Sequence, residues 1–390
     1  MKRAVAAFLV VALASATAGS STASARPVHH EDPAATLTDA DWILRAQMPD
    51  GAIATYVDRV GVSPYLANYA AMGLAAAAAK TGNAGYVAAA WQWVRWYQDH
   101  EDQHGFVTDY RVVGGRLQST GDMDSTDAYA GTYLLAVRDV WSATGDAGRL
   151  RSVAQGVAGA VTAIEATQDV DGLTWAKPGW RVKYLMDEAE TYAGLVAAVD
   201  LAVALGDTVL EARAGADARG IAAGVAGLWN PQTGAYDWAV HGDGSHASTD
   251  WGRLYPDAMQ QAWAVSFGLV TGDRAKQLMA TFAAAQPAWS SPTATADVEG
   301  QARPVGYWAV PGLAYRLVGN APRAAAAVLS IEAAADATGR AWPFTPADAG
   351  ELLLVGQPMG ATPAPVSSLV APAERQVRLP YHGVMGSSFL

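Results

Sequence analysis

Apolar positions along the chain fall into two alternating kinds of segment. Residues 63–79, 127–140, 190–205, 258–270 and 307–318 are Ala, Leu, Val and Tyr almost all round. A helix that is apolar on every side is a buried one. Between them, residues 38–47, 86–98, 153–164, 210–228, 274–285 and 322–337 carry an apolar stripe opposite a polar face. In the clearest of these, Val153, Val157, Ala160, Val161 and Ile164 recur at helical spacing, while Arg149, Arg151 and Gln155 fall on another face. The pattern predicts five inner and six outer helices.

The punctuation between segments repeats as well. A glycine turn leads into a short aromatic or β-branched stretch around Gly51, Gly105, Gly172, Gly234 and Gly339. The first four glycines stand 54, 67 and 62 residues apart. Buried and amphipathic helices alternating at that period predict an all-α fold. It is an (α/α)6-type toroid of inner and outer helices with short β-hairpin connections, one helix short of twelve. A stacked solenoid competes with it, but solenoid pairs run to roughly 34–47 residues. The toroid is assigned to residues 36–340. Residues 341–390, rich in Pro and Gly, include strand-like Leu352-Leu353-Leu354 and Val377-Arg378-Leu379, and are assigned to an extension packing on the toroid.

The beginning of the chain has a different character. Met1-Lys2-Arg3, an apolar run from Ala4 to Leu13 and small residues ending in Ala23-Ser24-Ala25 read as a signal peptide, residues 1–25, cut after Ala25. The expectation is a secreted monomer with no membrane contact after cleavage. Of 390 residues, 51% are hydrophobic and 16% charged, which excludes a disordered chain. With no cysteine, an exported fold must be held by packing alone. A net charge of −11 argues against a nucleic-acid partner and against polyanionic substrates.

One metal motif is present in letter. His100-Glu101-Asp102-Gln103-His104 matches H-E-x-x-H, which binds zinc only when both rings share one face of a continuous helix. Gly105 follows at once and the segment coincides with the repeated turn. The reading is a polar connecting loop with no metal.

Carboxylates gather at the starts of inner helices. Asp124 and Asp127 head the second, Asp187, Glu188 and Glu190 the third, Asp257 the fourth, and Asp50 lies in the turn before the first. Each could simply cap a helix and oppose its dipole. If the inner helices share one sense, however, all these acids meet at one end of the barrel. Like charges at close range raise one another's pKa, and a raised acid beside an ionised base is what glycoside hydrolysis requires. Trp and Tyr together number 29 against 6 Phe. Tyr65, Tyr69, Tyr129, Tyr192, Tyr255, Tyr307 and Trp308 fall at the same helix starts, where flat rings with polar edges suit sugars.

These features together resemble the six-hairpin glycosidase superfamily. Locally, Ser125-Thr126-Asp127-Ala128-Tyr129 resembles the Ser/Thr-Asp-Ala-Asp segment of family 8 glycoside hydrolases, with Tyr129 standing where that family has a second acid. The family's early catalytic glutamate has no counterpart, since the matching helix offers Asn68. The resemblance implies a glycoside hydrolase that needs no cofactor and works by inversion. The residues expected to carry catalysis on a neutral oligo- or polysaccharide are Asp50, Asp127, Glu188 and Asp257, with Asp187 and Glu190 behind them. Tyr65, Tyr69, Asp124, Tyr129, Tyr192, Tyr255 and Trp308 are expected to hold the sugar, in an open cavity. A lyase with a tyrosine base and a non-catalytic sugar-binding toroid are the alternatives.

Overall fold

Repeated Gly-Asn and Gly-Asp pairs set the course of the chain. Gly82, Gly145, Gly206 and Gly319 adopt left-handed backbone with φ of 72°, 65°, 75° and 82°, ending the inner segments. Each next residue caps an outer helix: Asn83, Asp146, Asp207 and Asn320 accept backbone N–H groups of its first turn. Links from inner to outer helices are therefore tight.

The computed structural model describes residues 39–291, 295–298, 301–304 and 307–356. The signal peptide assigned to 1–25 and residues 357–390 of the extension lie outside the described residues. In chain order, α1 (Asp39–Ala46) is outer, α2 (Pro64–Thr81) inner, α3 (Ala84–Asp99) outer and α4 (Thr126–Ser142) inner. A broken outer pair follows, α5 (Ala147–Ser152) and α6 (Ala154–Thr167), then inner α7 (Leu185–Leu205) and outer α8 (Thr208–Ala226). Inner α9 (Met259–Ser266) is preceded by a π-helical turn, Leu254–Ala258. Outer α10 (Gly272–Ala285), inner α11 (Val310–Leu317), outer α12 (Ala321–Ala337) and inner α13 (Pro346–Val355) complete the series.

The inner helices pack in sequence, α2 on α4, α4 on α7, α7 on α9, α9 on α11 and α11 on α13, and α13 returns to α2. The ring is closed by six inner helices. This corrects the sequence reading, which was one helix short. The missing member lies beyond residue 340, and Leu352-Leu353-Leu354 is helical, not strand-like. Thr345 and Asp348 form a reciprocal capping box and Pro346 sits at the first turn, so the helix start is fixed locally. A ring slot then buries its apolar run.

The links from outer to inner helices are long, and they all lie at one end. They contain the strands. β1 (Gly61–Val62), β2 (Tyr110–Val113) and β3 (Arg116–Ser119) form one antiparallel sheet, with Val62 opposite Tyr110 and Tyr110 opposite Ser119. β4 (Val182–Tyr184) comes next, then a hairpin of β5 (Trp229–Asn230) and β6 (Ala235–Tyr236). β7 (Ala239–His241) and β8 (His246–Ala247) join β4 in the order β4-β7-β8, and β9 (Thr295–Val298) pairs with β10 (Gln301–Pro304). The first three repeated turns dock on the next outer helix. Gly51, Gly105 and Gly172 have φ of 99°, 77° and 85°. A Cβ on them would stand 2.9, 2.1 and 2.3 Å from the carbonyl oxygens of Gln92, Gly159 and Gly220. Only glycine fits there.

Candidate active site at the open end of the ring

Six inner helices begin at the open end, and their N-terminal dipoles favour negative charge there. The sequence places acids on four of those starts, those of α4, α7, the π-helical turn before α9, and α13, and the long links fold over them. The result is two layers.

The deeper layer is sealed. Asp127, Asp187, Glu188 and Glu190 all have zero exposure. Thr174, from the hairpin before α7, grips two of them: its hydroxyl donates to Asp127 Oδ2 at 2.6 Å and its N–H to Glu188 Oε1 at 2.7 Å. The sequence-predicted pair Asp127 and Glu188 is thus brought together, but under a hairpin and not in an open cavity. Burial raises Asp127 to about 6 against the hydrogen bonds of Ser125 and Thr174. Burial, then the charge of Asp127, holds Glu188 well above the carboxylate range.

Glu190 spans the lumen. Its Oε1 accepts the Tyr65 hydroxyl at 2.6 Å, the Tyr69 hydroxyl and Trp263 Nε1 at 3.0 Å, from α2 and α9. Burial raises it to about 7, opposed by these three donors. Its Oε2, like Asp187 Oδ1 and Glu188 Oε2, is buried without a hydrogen-bond partner. Glu351 of α13 is also inside, and its Oε2 accepts the N–H groups of Ala309 and Val310 at 2.6 and 3.1 Å.

The outer layer is reached by solvent. Asp124, Asp109, Tyr65, Lys177 and Trp308 are all half-buried. The Tyr129 hydroxyl donates to Asp109 Oδ1 at 2.9 Å. Burial raises Asp109 to about 6, opposed by the Tyr129 bond. Burial and then the Asp109 charge raise Asp124 to about 7. The Asp124 carboxyl has no hydrogen-bond partner among the described residues, and Tyr129, Tyr184 and Tyr255 stand within its field. Tyr65 stacks on Tyr129 with centroids 6.0 Å apart, and Trp308 meets Tyr255 edge-on at 5.2 Å. Lys177 is held by Asp122 at 2.8 Å, and its charge also acts on both mouth acids, opposing the rise that burial imposes on them.

The remaining predicted residues lie elsewhere. Asp50 is exposed on its turn, where Oδ1 accepts the N–H of Ala52 at 3.1 Å, a local turn role. Asp257 is buried but holds the N–H of Asp250 at 2.8 Å and faces Arg253 at 3.6 Å. In both, the contacts the structure shows are local and structural. Tyr192 lies two residues past Glu190, about 200° round α7 by helical geometry, and belongs to the hydrophobic core. Asn68 is a buried pin, accepting Trp93 Nε1 at 2.9 Å and donating to Thr132 Oγ1 at 3.0 Å.

The H-E-x-x-H segment is a connection. α3 ends at Asp99, His100 Nδ1 lies 2.7 Å from the Trp96 carbonyl oxygen with its ring stacked on Trp96 at 3.8 Å, and His104 is exposed beside Phe106. Among the described residues, no group of three His, Asp or Glu side chains is arranged to hold a metal ion. A cavity of about 530 Å³ lies at the other end, between α10 and α12 against Tyr315, and no carboxylate lines it.

Asp109 was missed by sequence reasoning. It stands four residues after the turn glycine Gly105, where the chain climbs from the turn onto the rim. Thr55, four after Gly51, receives the N–H of Ser63 at the same level. The next two copies of the turn have Ala176 and Trp238 at that place, so the repeat by itself did not mark an acid there.

No protein-family model matches the chain, and no curated protein matches it in sequence. Solved structures do share the fold. A GH63 mannosylglycerate hydrolase from Thermus thermophilus, solved in complex with glucose, aligns with TM-score 0.62 at 13% identity, over 81% of this chain and 98% of that one. A wild-type glycosidase aligns with TM-score 0.57 at 19% identity, over 81% and 94%. A D-mannose isomerase aligns with TM-score 0.52 at 12% identity, over 81% and 95%. The chain therefore shares the (α/α) toroid fold of these structures. Because a hydrolase and an isomerase both carry it, the site must decide the chemistry.

Proposed function

We propose that the chain is a glycoside hydrolase working at the mouth of the ring, with Asp124 as proton donor and Asp109 as the ionised partner that activates water. One observation carries this reading. Asp124 is a half-buried carboxyl with no hydrogen-bond partner among the described residues, raised by burial and by the Asp109 charge, beside Asp109, whose ionised form accepts the Tyr129 hydroxyl at 2.9 Å. Two titratable groups pushed apart in this way supply one acid and one base at the same pH. Tyr65 and Trp308, half-buried at the mouth, give the flat and edge-polar surfaces that a sugar ring needs, and buried Tyr129 and Tyr255 back them. Glu190 keeps Tyr65 in place through its hydroxyl.

The site disfavours the lyase alternative. Tyr65, Tyr69, Tyr129 and Tyr255 are all held well above 10 by burial first and by neighbouring carboxylates next. A tyrosine base needs the opposite environment. A uronic substrate would also meet the carboxylates unpaired. The substrate class this supports is a glycoside without negative charge. The basic start, apolar run and small-residue site of residues 1–25 support its being met outside the cytoplasm.

The test is a panel of neutral aryl glycosides and oligosaccharides incubated with the protein, with products followed by proton NMR. Cleavage with an inverted anomer at first appearance is the expected result. Asp124→Asn and Asp109→Asn should each lower kcat/KM by about 10²–10⁴ with the fold intact. A rearranged, uncleaved sugar would make the toroid an isomerase. Full activity in both variants would remove the assignment.

A further inference from the structure

Ser125 sits between two carboxyls and has one hydrogen to give. Its Oγ is 2.6 Å from Asp127 Oδ1 and 3.0 Å from Asp187 Oδ2, and all three residues are buried. Both contacts are hydrogen bonds only if one carboxyl donates in its turn.

Asp127 is not that carboxyl. Its Oδ1 also accepts the N–H of Ala128 at 2.8 Å, and its Oδ2 accepts the Thr174 hydroxyl at 2.6 Å. Three donors favour its charged form. Asp187 has the opposite surroundings. Its Oδ2 meets Ser125 alone and its Oδ1 has no partner, so a charge there would stay unsolvated. Asp124 faces it from the segment before α4, Asp127 from α4, Glu190 from its own helix, Tyr184 from β4 and Tyr255 from the π-helical turn. None of these is a cation.

We propose that Ser125 is a positioning residue that assigns the one proton shared by Asp127 and Asp187 to Asp187. Asp187 donates to Ser125 Oγ, and Ser125 donates to the ionised Asp127. The consequence for catalysis rests on the proposed role of Asp124. A neutral Asp187 beneath it presents a dipole instead of a second negative charge, so Asp124 releases its proton near neutrality and not at far higher pH. Burial and the charge of Asp127, which hold Asp187 well above the carboxylate range, agree with this arrangement.

Infrared difference spectroscopy on the full chain tests the assignment without any substrate, by reading the C=O stretch of neutral carboxylic acids across pH. Wild type minus Asp187→Asn at neutral pH should isolate one neutral-acid band. In Ser125→Ala the proton on Asp187 loses its acceptor, so the midpoint of that band should fall by about one unit, a tenfold change. Ser125→Thr keeps the hydroxyl and should restore it. Asp127→Asn removes the neighbouring charge and should lower the midpoint further, and it carries the test should Ser125→Ala fail to fold by circular dichroism. No band difference in Asp187→Asn, or an unmoved midpoint in Ser125→Ala or Asp127→Asn, overturns the proposal. The kinetic counterpart is the basic limb of kcat/KM, which should rise in Ser125→Ala and return in Ser125→Thr. Because the spectrum is read without turnover, a failed band with an active Asp124 leaves the hydrolase reading standing. A correct band in an inactive protein separates the two the other way.

Discussion

Where α4 crosses α7, Gly131 and Gly194 lie backbone to backbone. A Cβ on Gly194 would stand 2.3 Å from the Gly131 carbonyl oxygen, and one on Gly131 would stand 2.7 Å from the Cα of Thr191. Gly73 and Gly350 meet in the same way where α13 closes on α2, with a Cβ on Gly73 2.4 Å from the Gly350 Cα. Pairs of glycines let inner helices approach closely enough to fill the barrel with backbone and short side chains.

Gly194→Ala should therefore force the two helices apart. Overpacking of this kind costs roughly 1–3 kcal/mol, and backbone contact puts this site at the upper end. Urea unfolding should show a lower midpoint, whereas Gly82→Ala, with open space around it, should act only through its backbone φ of 72°. Equal losses would argue against the close-approach account.

Arg340 latches the two ends of the described ring together. Its guanidinium pairs with buried Asp39 of α1 and with Asp336 at 3.1 Å, and the Tyr56 hydroxyl donates to its carbonyl at 3.1 Å. Removing one partner of a buried pair leaves the other charge uncompensated, at a cost of about 3–5 kcal/mol. Arg340→Met should lose that much by chemical denaturation, and Asp39→Asn about as much. Near-zero effects would show that the latch adds nothing.

The mouth acids predict a bell-shaped pH profile. Below about 6, Asp109 takes up a proton and ceases to act as base; above about 7, Asp124 loses its proton and ceases to act as acid. The optimum of kcat/KM should fall between those values, with each limb dropping tenfold per pH unit. An activity that keeps rising to pH 9 would exclude Asp124 as the donor.

Glu101 gives a stability test away from the site. Its carboxyl presses on α6, where a Cβ on Gly159 would meet Oε2 at 2.6 Å, and Oε1 is buried without a partner. Burial, then Asp102, raises it from 4.5 to about 9. A raised acid is harmless below 4.5, where it is protonated folded and unfolded, and its cost accumulates as pH rises from 4.5 towards 9. Glu101→Gln should thus gain about 1–3 kcal/mol at pH 8 and nothing near pH 4. A gain independent of pH would contradict the linkage.

His100 and His104 should bind no zinc at stoichiometric level, since the helix ends before them and His100 is committed to Trp96. Elemental analysis of chelator-washed, zinc-incubated protein decides this. One metal per chain, lost in His100→Ala, would reverse it.

The alternation of buried and amphipathic helices, the turn glycines and the acids at helix starts are local properties, written into spacing and residue type. They determined an all-α ring with one chemically loaded end. Ring closure was not local. Leu352-Leu353-Leu354 reads as strand-like beside proline and glycine, and only the empty slot between α2 and α11 makes Pro346–Val355 the sixth inner helix. The choice among acids was not local either. Asp127, Asp124 and Asp109 lie within one stretch of chain, yet Thr174, 47 residues away, seals Asp127, while Tyr129 turns its hydroxyl to Asp109 and Asp124 stays half-buried at the mouth. Burial and hydrogen-bond partners belong to whatever folds over a residue, so which carboxyl holds a proton was settled only once distant segments met.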